Sequence, residues 1–137
     1  ITVSRDPKAK IGEKIIQTLK KGISLKAVRD RGANSLKITK IKSDIAEALG
    51  FKSSDISAKV YFAEHHRSHM ASSFYVSPFE ESAILSIDGM GDFSSTMRGT
   101  GKGNKMKVID SVSYPHSIGI FYTAMTQYLG FPHYGDE

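Results

Sequence analysis

His65, His66 and His69 lie together in the run His65-His66-Arg67-Ser68-His69. On a helix, positions four apart share a face, so His65 and His69 project together. Two imidazoles at that spacing can grip one divalent metal, or the pair can be incidental. A zinc-protease site needs Glu directly after the first His as general base, and His66 in that position removes that chemistry. His66 itself lies about 100° round the helix from His65, away from a shared metal.

A second candidate is Asp88, which closes the apolar run Ala83-Ile84-Leu85-Ser86-Ile87 and opens Asp88-Gly89-Met90-Gly91. A carboxylate at the end of such a strand stands where ligands bind in α/β folds. Gly89 and Gly91 would let backbone N–H groups approach an anion, and Ser94, Ser95 and Thr96 add hydroxyls beyond the turn. The competing reading is a plain strand turn, for which Asp is equally suited. Two imidazoles and one carboxylate would suit a hard or borderline metal and leave positions open for substrate. Tyr114-Pro115-His116-Ser117 precedes the last apolar segment and reads either as an anion-favouring helix start or as a simple cap.

Local patterns predict the elements that hold these groups. Residues 59–63 read as a short buried strand, and 65–75 as a helix stopped at Ser77-Pro78. The run 83–87 reads as a central strand ending in a tight turn at 88–91. Residues 93–99 and 105–113 read as two more strands joined by a hairpin loop over 100–104. Residues 117–130 read as an amphipathic helix, with Ile118, Phe121, Tyr122, Met125 and Leu129 as the repeat and Ser117 as cap. The order is strand–helix, then β-β-β-α, an α/β class. Upstream, helices are expected over 8–20, 24–31 and 38–49, so residues 1–57 form a helical, basic insertion ahead of a core over 58–137.

The bulk composition narrows the function classes. The chain has 137 residues, 39% of them apolar, no Cys and a net charge of +5. Thiolate metal ligands and disulfides are excluded, which suits a reducing, cytoplasmic setting. No run approaches the roughly 18–20 apolar residues of a membrane span, and no signal-peptide pattern opens the chain. Both ends predict a piece of a larger protein. Residues 1–60 hold 14 Lys+Arg against 6 Asp+Glu, and 61–137 hold 5 against 8. The basic half carries few interleaved aromatics for base stacking, so it reads as a solvated face and nucleic acid is not the expected partner.

Taken together, these residues resemble the amino-terminal domain of the carbamoyltransferases of the nodulation-protein and cephamycin-biosynthesis family. The resemblance runs through Glu64-His65-His66-Arg67-Ser68-His69-Met70-Ala71-Ser72-Ser73-Phe74-Tyr75 and Ser77-Pro78-Phe79, then Ser86-Ile87-Asp88-Gly89-Met90-Gly91-Asp92. It resumes at Pro115-His116-Ser117-Ile118-Gly119 and Tyr128-Leu129-Gly130-Phe131. Met70 departs from the family's Ala at that place, a change in packing and not in ligation. The resemblance implies an actin-like ATPase, RNase H-like fold. It implies Fe2+ or another divalent metal held by His65, His69 and Asp88, with a further aspartate outside this chain. It implies ATP or an adenylate at the turn of Gly89, Gly91, Ser94, Ser95 and Thr96. The implied chemistry is two-step. Carbamoyl phosphate and ATP give a carbamoyl-adenylate in a carboxy-terminal YrdC-like domain of the same parent chain. The carbamoyl group then moves to a hydroxyl of a small acceptor, such as a nodulation-factor-like oligosaccharide, another sugar or an antibiotic core. A metal there would polarise the carbonyl or orient phosphate oxygens. His66 is the candidate proton acceptor, with a packing role as the alternative. The piece alone is expected to lack transferase activity. Alternatives are a tRNA threonylcarbamoyl- or hydrogenase-maturation-type enzyme of the same fold, a sugar kinase, or a basic nucleic-acid-binding module.

Overall fold

The structure is a computed structural model that describes residues 1–21, 40–133 and 135. It divides into two compact units, Ile1–Ala63 and Glu64–Glu137.

In the first unit, β1 (Thr2–Val3) and β2 (Tyr61–Phe62) pair in parallel, Thr2 with Tyr61 and Val3 with Phe62. The amino terminus donates to the Lys59 carbonyl at 2.9 Å. Among the described residues, two helices follow β1, α1 (Ile11–Lys21) and α2 (Ile41–Ala48). Two expectations are corrected. The segment before α1 opens as a strand, because its partner lies 59 positions along the chain in register and no local pattern reports that. The strand expected over 59–63 as buried is two residues long, with Tyr61 and Phe62 both exposed. The helix expected over 24–31 lies outside the described residues.

The second unit carries the candidate site. Helix α3 (His65–Phe74) starts where the Glu64 carboxylate accepts from the Arg67 N–H at 2.7 Å, an N-cap by an acidic residue. It ends at Tyr75, and the Ser77 hydroxyl then takes up the Phe74 carbonyl at 2.7 Å. The antiparallel sheet β3 (Glu81–Gly91), β4 (Ser94–Lys102) and β5 (Lys105–Ser113) runs in the order β3-β4-β5. Helix α3 lies on one sheet face, and Met70, Phe74, Ile84 and Met97 form the core with Met106 and Val108 against it. The close approach needs two glycines. A Cβ on Gly99 would meet the Met70 methyl at 2.4 Å, and one on Gly101 would meet the Phe74 ring at 2.5 Å.

Two details of the sheet differ from expectation. The strand predicted to stop at Ile87 continues to Gly91, and Gly91 pairs with Ser94. The register shifts between Ile87 and Gly91, so Asp88, Gly89 and Met90 sit in an irregular stretch of the strand. The tight turn is instead Asp92–Phe93, with φ of +49° and +76°. The order also places β4, not β3, in the middle of the described strands. The second hairpin turns over Gly103–Asn104 alone, with Gly103 at φ +56°; the loop expected over 100–104 is shorter because Thr100, Gly101 and Lys102 pair with β5 as the end of β4. Helix α4 (Ile118–Tyr128) forms as expected, and its Ser117 cap accepts from the Ile120 N–H at 3.0 Å. Its apolar repeat stays exposed among the described residues. Among those residues no helix is long and apolar enough to cross a membrane.

Candidate metal centre

The helical spacing that joins His65 and His69 is realised in α3, where the two ring centroids are 4.6 Å apart and the rings nearly perpendicular. Their Nε2 atoms face each other at 3.0 Å. The His65 ring lies directly over Gly91. A Cβ there would stand 1.9 Å from the ring Cδ2 and 2.1 Å from Cγ. Gly91 thus makes room for an imidazole.

Asp88 meets the pair from β3. Its Oδ2 lies 2.7 Å from His65 Nε2 and 3.7 Å from His69 Nε2. Its Oδ1 accepts from the Gly89 N–H at 2.6 Å. The start of α4 packs against the same stretch of backbone. The Ser117 hydroxyl donates to the Gly89 carbonyl at 2.6 Å, and Gly119 approaches so closely that a Cβ would meet the Asp88 carbonyl at 2.6 Å. Burial pushes the Asp88 carboxyl up. The hydrogen bond with His65, the Gly89 N–H and the His65 and His69 charges outweigh it and hold the group below the usual carboxylate range.

Whether this set fits a metal can be tested on the three contacts. One hydrogen on His65 Nε2 can lie along the Asp88 contact or the His69 contact, not both. A cation between the three atoms satisfies every lone pair at once. All three ligand atoms lie within 4.8 Å of one another. Neighbouring ligands on one ion with bonds of about 2.0–2.2 Å sit about 3 Å apart, close to the observed spacings. The side chains are 19% (His65), 50% (His69) and 39% (Asp88) exposed, so one side of the cluster opens to solvent. The residues present fit a divalent ion bound by two imidazoles and a carboxylate.

The other expected residues fall elsewhere. His66 is fully buried, with Nδ1 2.8 Å from the Ser86 hydroxyl and Nε2 without a partner among the described residues. Ser94 and Ser95 are also fully buried. The Ser95 hydroxyl donates to the His116 carbonyl at 2.5 Å and anchors the approach to α4, whereas Ser94 Oγ has no partner among the described residues. Thr96 pairs with Ile87 in the ladder and is half-buried. Gly89 faces open space at its Cα. Sequence reasoning missed Asp92, whose Oδ2 accepts from the His65 N–H at 3.0 Å. The one available signal was its place as a non-Gly turn residue directly after the Gly91 seat.

An α/β unit that brings two helical imidazoles onto a strand carboxylate defines a candidate metal-binding domain, and comparison with known proteins gives its family. Residues 14–137 match the family described as Carbamoyltransferase N-terminus, and the chain belongs to that family. An uncharacterised protein of Synechocystis is 41% identical over 93 residues, which is 68% of this chain and 15% of that protein. The nodulation protein NolNO of Sinorhizobium fredii is 39% identical over 74 residues, 54% of this chain and 11% of that protein. The nodulation protein NolO of Bradyrhizobium diazoefficiens is 39% identical over 66 residues, 48% of this chain and 12% of that protein. The chain therefore spans between 11% and 15% of the length of these relatives.

Proposed function

We propose that this chain forms the metal-binding part of an O-carbamoyltransferase of actin-like ATPase fold. In it, a carbamoyl group derived from carbamoyl phosphate and ATP, as a carbamoyl-adenylate, passes to a hydroxyl of a sugar or secondary-metabolite acceptor. One observation carries this reading beyond the family: His65 Nε2, His69 Nε2 and Asp88 Oδ2 converge within 4.8 Å at a partly open surface. These residues would hold Fe2+ or another divalent ion, which as a Lewis acid would polarise a carbonyl or phosphoryl oxygen. Asp88 brings a negative charge held by two ordered contacts, and α3 keeps both imidazoles on one face. In the transfer step the acceptor oxygen bonds to the carbamoyl carbon, the carbon–oxygen bond to the adenylate phosphate breaks, and the acceptor proton goes to a base.

That base must lie within hydrogen-bond reach of the hydroxyl. His66 is enclosed and hydrogen-bonded to Ser86, so we assign it to holding α3 on β3. Phosphate contact from the β3–β4 stretch falls to Gly89, with open space at its Cα, and to the half-buried Thr96. The nucleotide, the cytoplasmic setting and a carboxy-terminal YrdC-like domain belong to the same proposal.

The test is a transfer assay on the intact protein with radiolabelled carbamoyl phosphate, ATP and a panel of sugar acceptors, alongside anaerobic metal analysis. Stoichiometric iron and label transfer, both abolished by His69→Ala, are expected. Transfer that survives His69→Ala unchanged would overturn the reading.

A further inference from the structure

The turn between β3 and β4 does more than reverse the chain. Its two residues, Asp92 and Phe93, both have φ in the left-handed region, at +49° and +76°. Asp tolerates that conformation, whereas a bulky aromatic residue there is strained and persists only where its surroundings fix it. Phe93 is buried, and its ring lies 5.6 Å from that of Tyr114. The strained turn thus holds Asp92 in one place, next to Gly91, on which the His65 ring rests. From there Asp92 Oδ2 accepts from the His65 N–H across 27 positions of sequence.

We propose that Asp92 is a positioning residue for the metal centre, fixing the backbone of His65 so that the ring stands over Gly91 with Nε2 toward Asp88. The inference rests on the metal reading above. Helix α3 already has a cap, since Glu64 satisfies the Arg67 N–H. The second carboxylate comes from another element of the fold and takes the first-turn N–H of His65 itself. Held between a carboxylate at its backbone and a glycine under its ring, His65 loses the freedom that an exposed histidine would spend on binding a metal. Pre-ordering of this kind raises affinity without adding a ligand.

Two substitutions separate this role from that of a turn residue. Asp92→Asn keeps an acceptor oxygen and tolerates the left-handed turn. Asp92→Gly suits the turn at least as well but removes the acceptor. Anaerobic Co2+ titration, read by its visible absorption, is expected to give Asp92→Asn an affinity within about threefold of wild type, and Asp92→Gly a loss of about 10–100-fold. The thermal midpoint of the metal-free protein should stay near wild type in both. In the metal-free protein, nuclear magnetic resonance should show one His65 side-chain rotamer in wild type and Asp92→Asn, and averaging in Asp92→Gly. Wild-type Co2+ affinity in Asp92→Gly overturns the proposal. If the wild type binds no Co2+, the metal reading fails and the rotamer decides: an ordered His65 in Asp92→Gly then overturns the positioning role as well. Should Asp92→Gly not fold, fast hydrogen exchange at the wild-type His65 amide refutes it.

Discussion

Replacing Gly91 by alanine puts a methyl group into the space held by the His65 ring. The added carbon would stand 1.9 Å from Cδ2, 2.1 Å from Cγ and 2.6 Å from Nε2. An ordinary carbon–carbon contact is about 3.5 Å, so the ring must retreat by about 1.5 Å. Metal–ligand distances tolerate only about 0.2 Å of error, so His65 leaves the ligand set. Loss of one of three protein ligands should raise the dissociation constant at least about 100-fold, or about 2.7 kcal/mol. Overpacking adds a fold cost of about 1–3 kcal/mol. Gly89→Ala is the control, since its new Cβ meets nothing within 4 Å. The assay is anaerobic Co2+ titration of both variants, with urea unfolding of the metal-free proteins beside it. Gly89→Ala should bind within about twofold of wild type by the same open-space reasoning. If Gly91→Ala binds as tightly as Gly89→Ala, the ring does not occupy that space when metal is bound and the reasoning fails.

Further outcomes follow from the same geometry. His69→Ala removes a half-exposed member of the proposed ligand set, so metal binding should be lost while metal-free stability, measured by thermal unfolding, stays within about 0.5 kcal/mol. Met70→Ala empties the centre of the core and should cost about 2–5 kcal/mol in urea unfolding. Ser117→Ala removes the α4 cap and the tie to the Gly89 carbonyl; about 0.5–2 kcal/mol should be lost, with weaker metal binding. Asp88 has a folded pKa below its usual value, so its contribution to stability is present above the unfolded value of about 3.9 and disappears as pH falls through the folded one. The urea midpoint of metal-free wild type should therefore exceed that of Asp88→Asn at about pH 5, and the margin should shrink as pH falls through the lowered carboxyl value.

What the sequence showed depended on how local each signal was. The spacing of His65 and His69, the Ser117 cap and the strand over 105–113 are set by neighbours within a few residues, and all three stand in the structure. The Asp88-Gly89-Met90-Gly91 string reads locally as a strand stop. It becomes an irregular strand only because Gly91 finds Ser94 across the ladder. The pairing of Thr2 with Tyr61 is a contact between segments far apart in sequence, which periodicity cannot register. Ser94 and Ser95 look like available hydroxyls until the third dimension buries them. Asp92 escaped notice because its partner is a backbone N–H, and backbone groups leave no letter in a sequence.

Helix α3 meets glycine at three of its own positions: His65 over Gly91, Met70 over Gly99 and Phe74 over Gly101. Each bare Cα leaves room for one side chain, so the helix is registered on the sheet like a key with three teeth. In an evolving lineage such a register restricts which substitutions can occur one at a time. Gly99→Ala should be tolerated when Met70 has already become smaller, and Gly101→Ala when Phe74 has. A seat and its occupant would change together. At Gly91 the proposed metal site would leave no such exchange open, because the occupant would be an imidazole needed as a ligand. The two apolar seats can drift as matched pairs while the third stays fixed, and the amount of paired variation along α3 would then mark how close each turn lies to the proposed metal site.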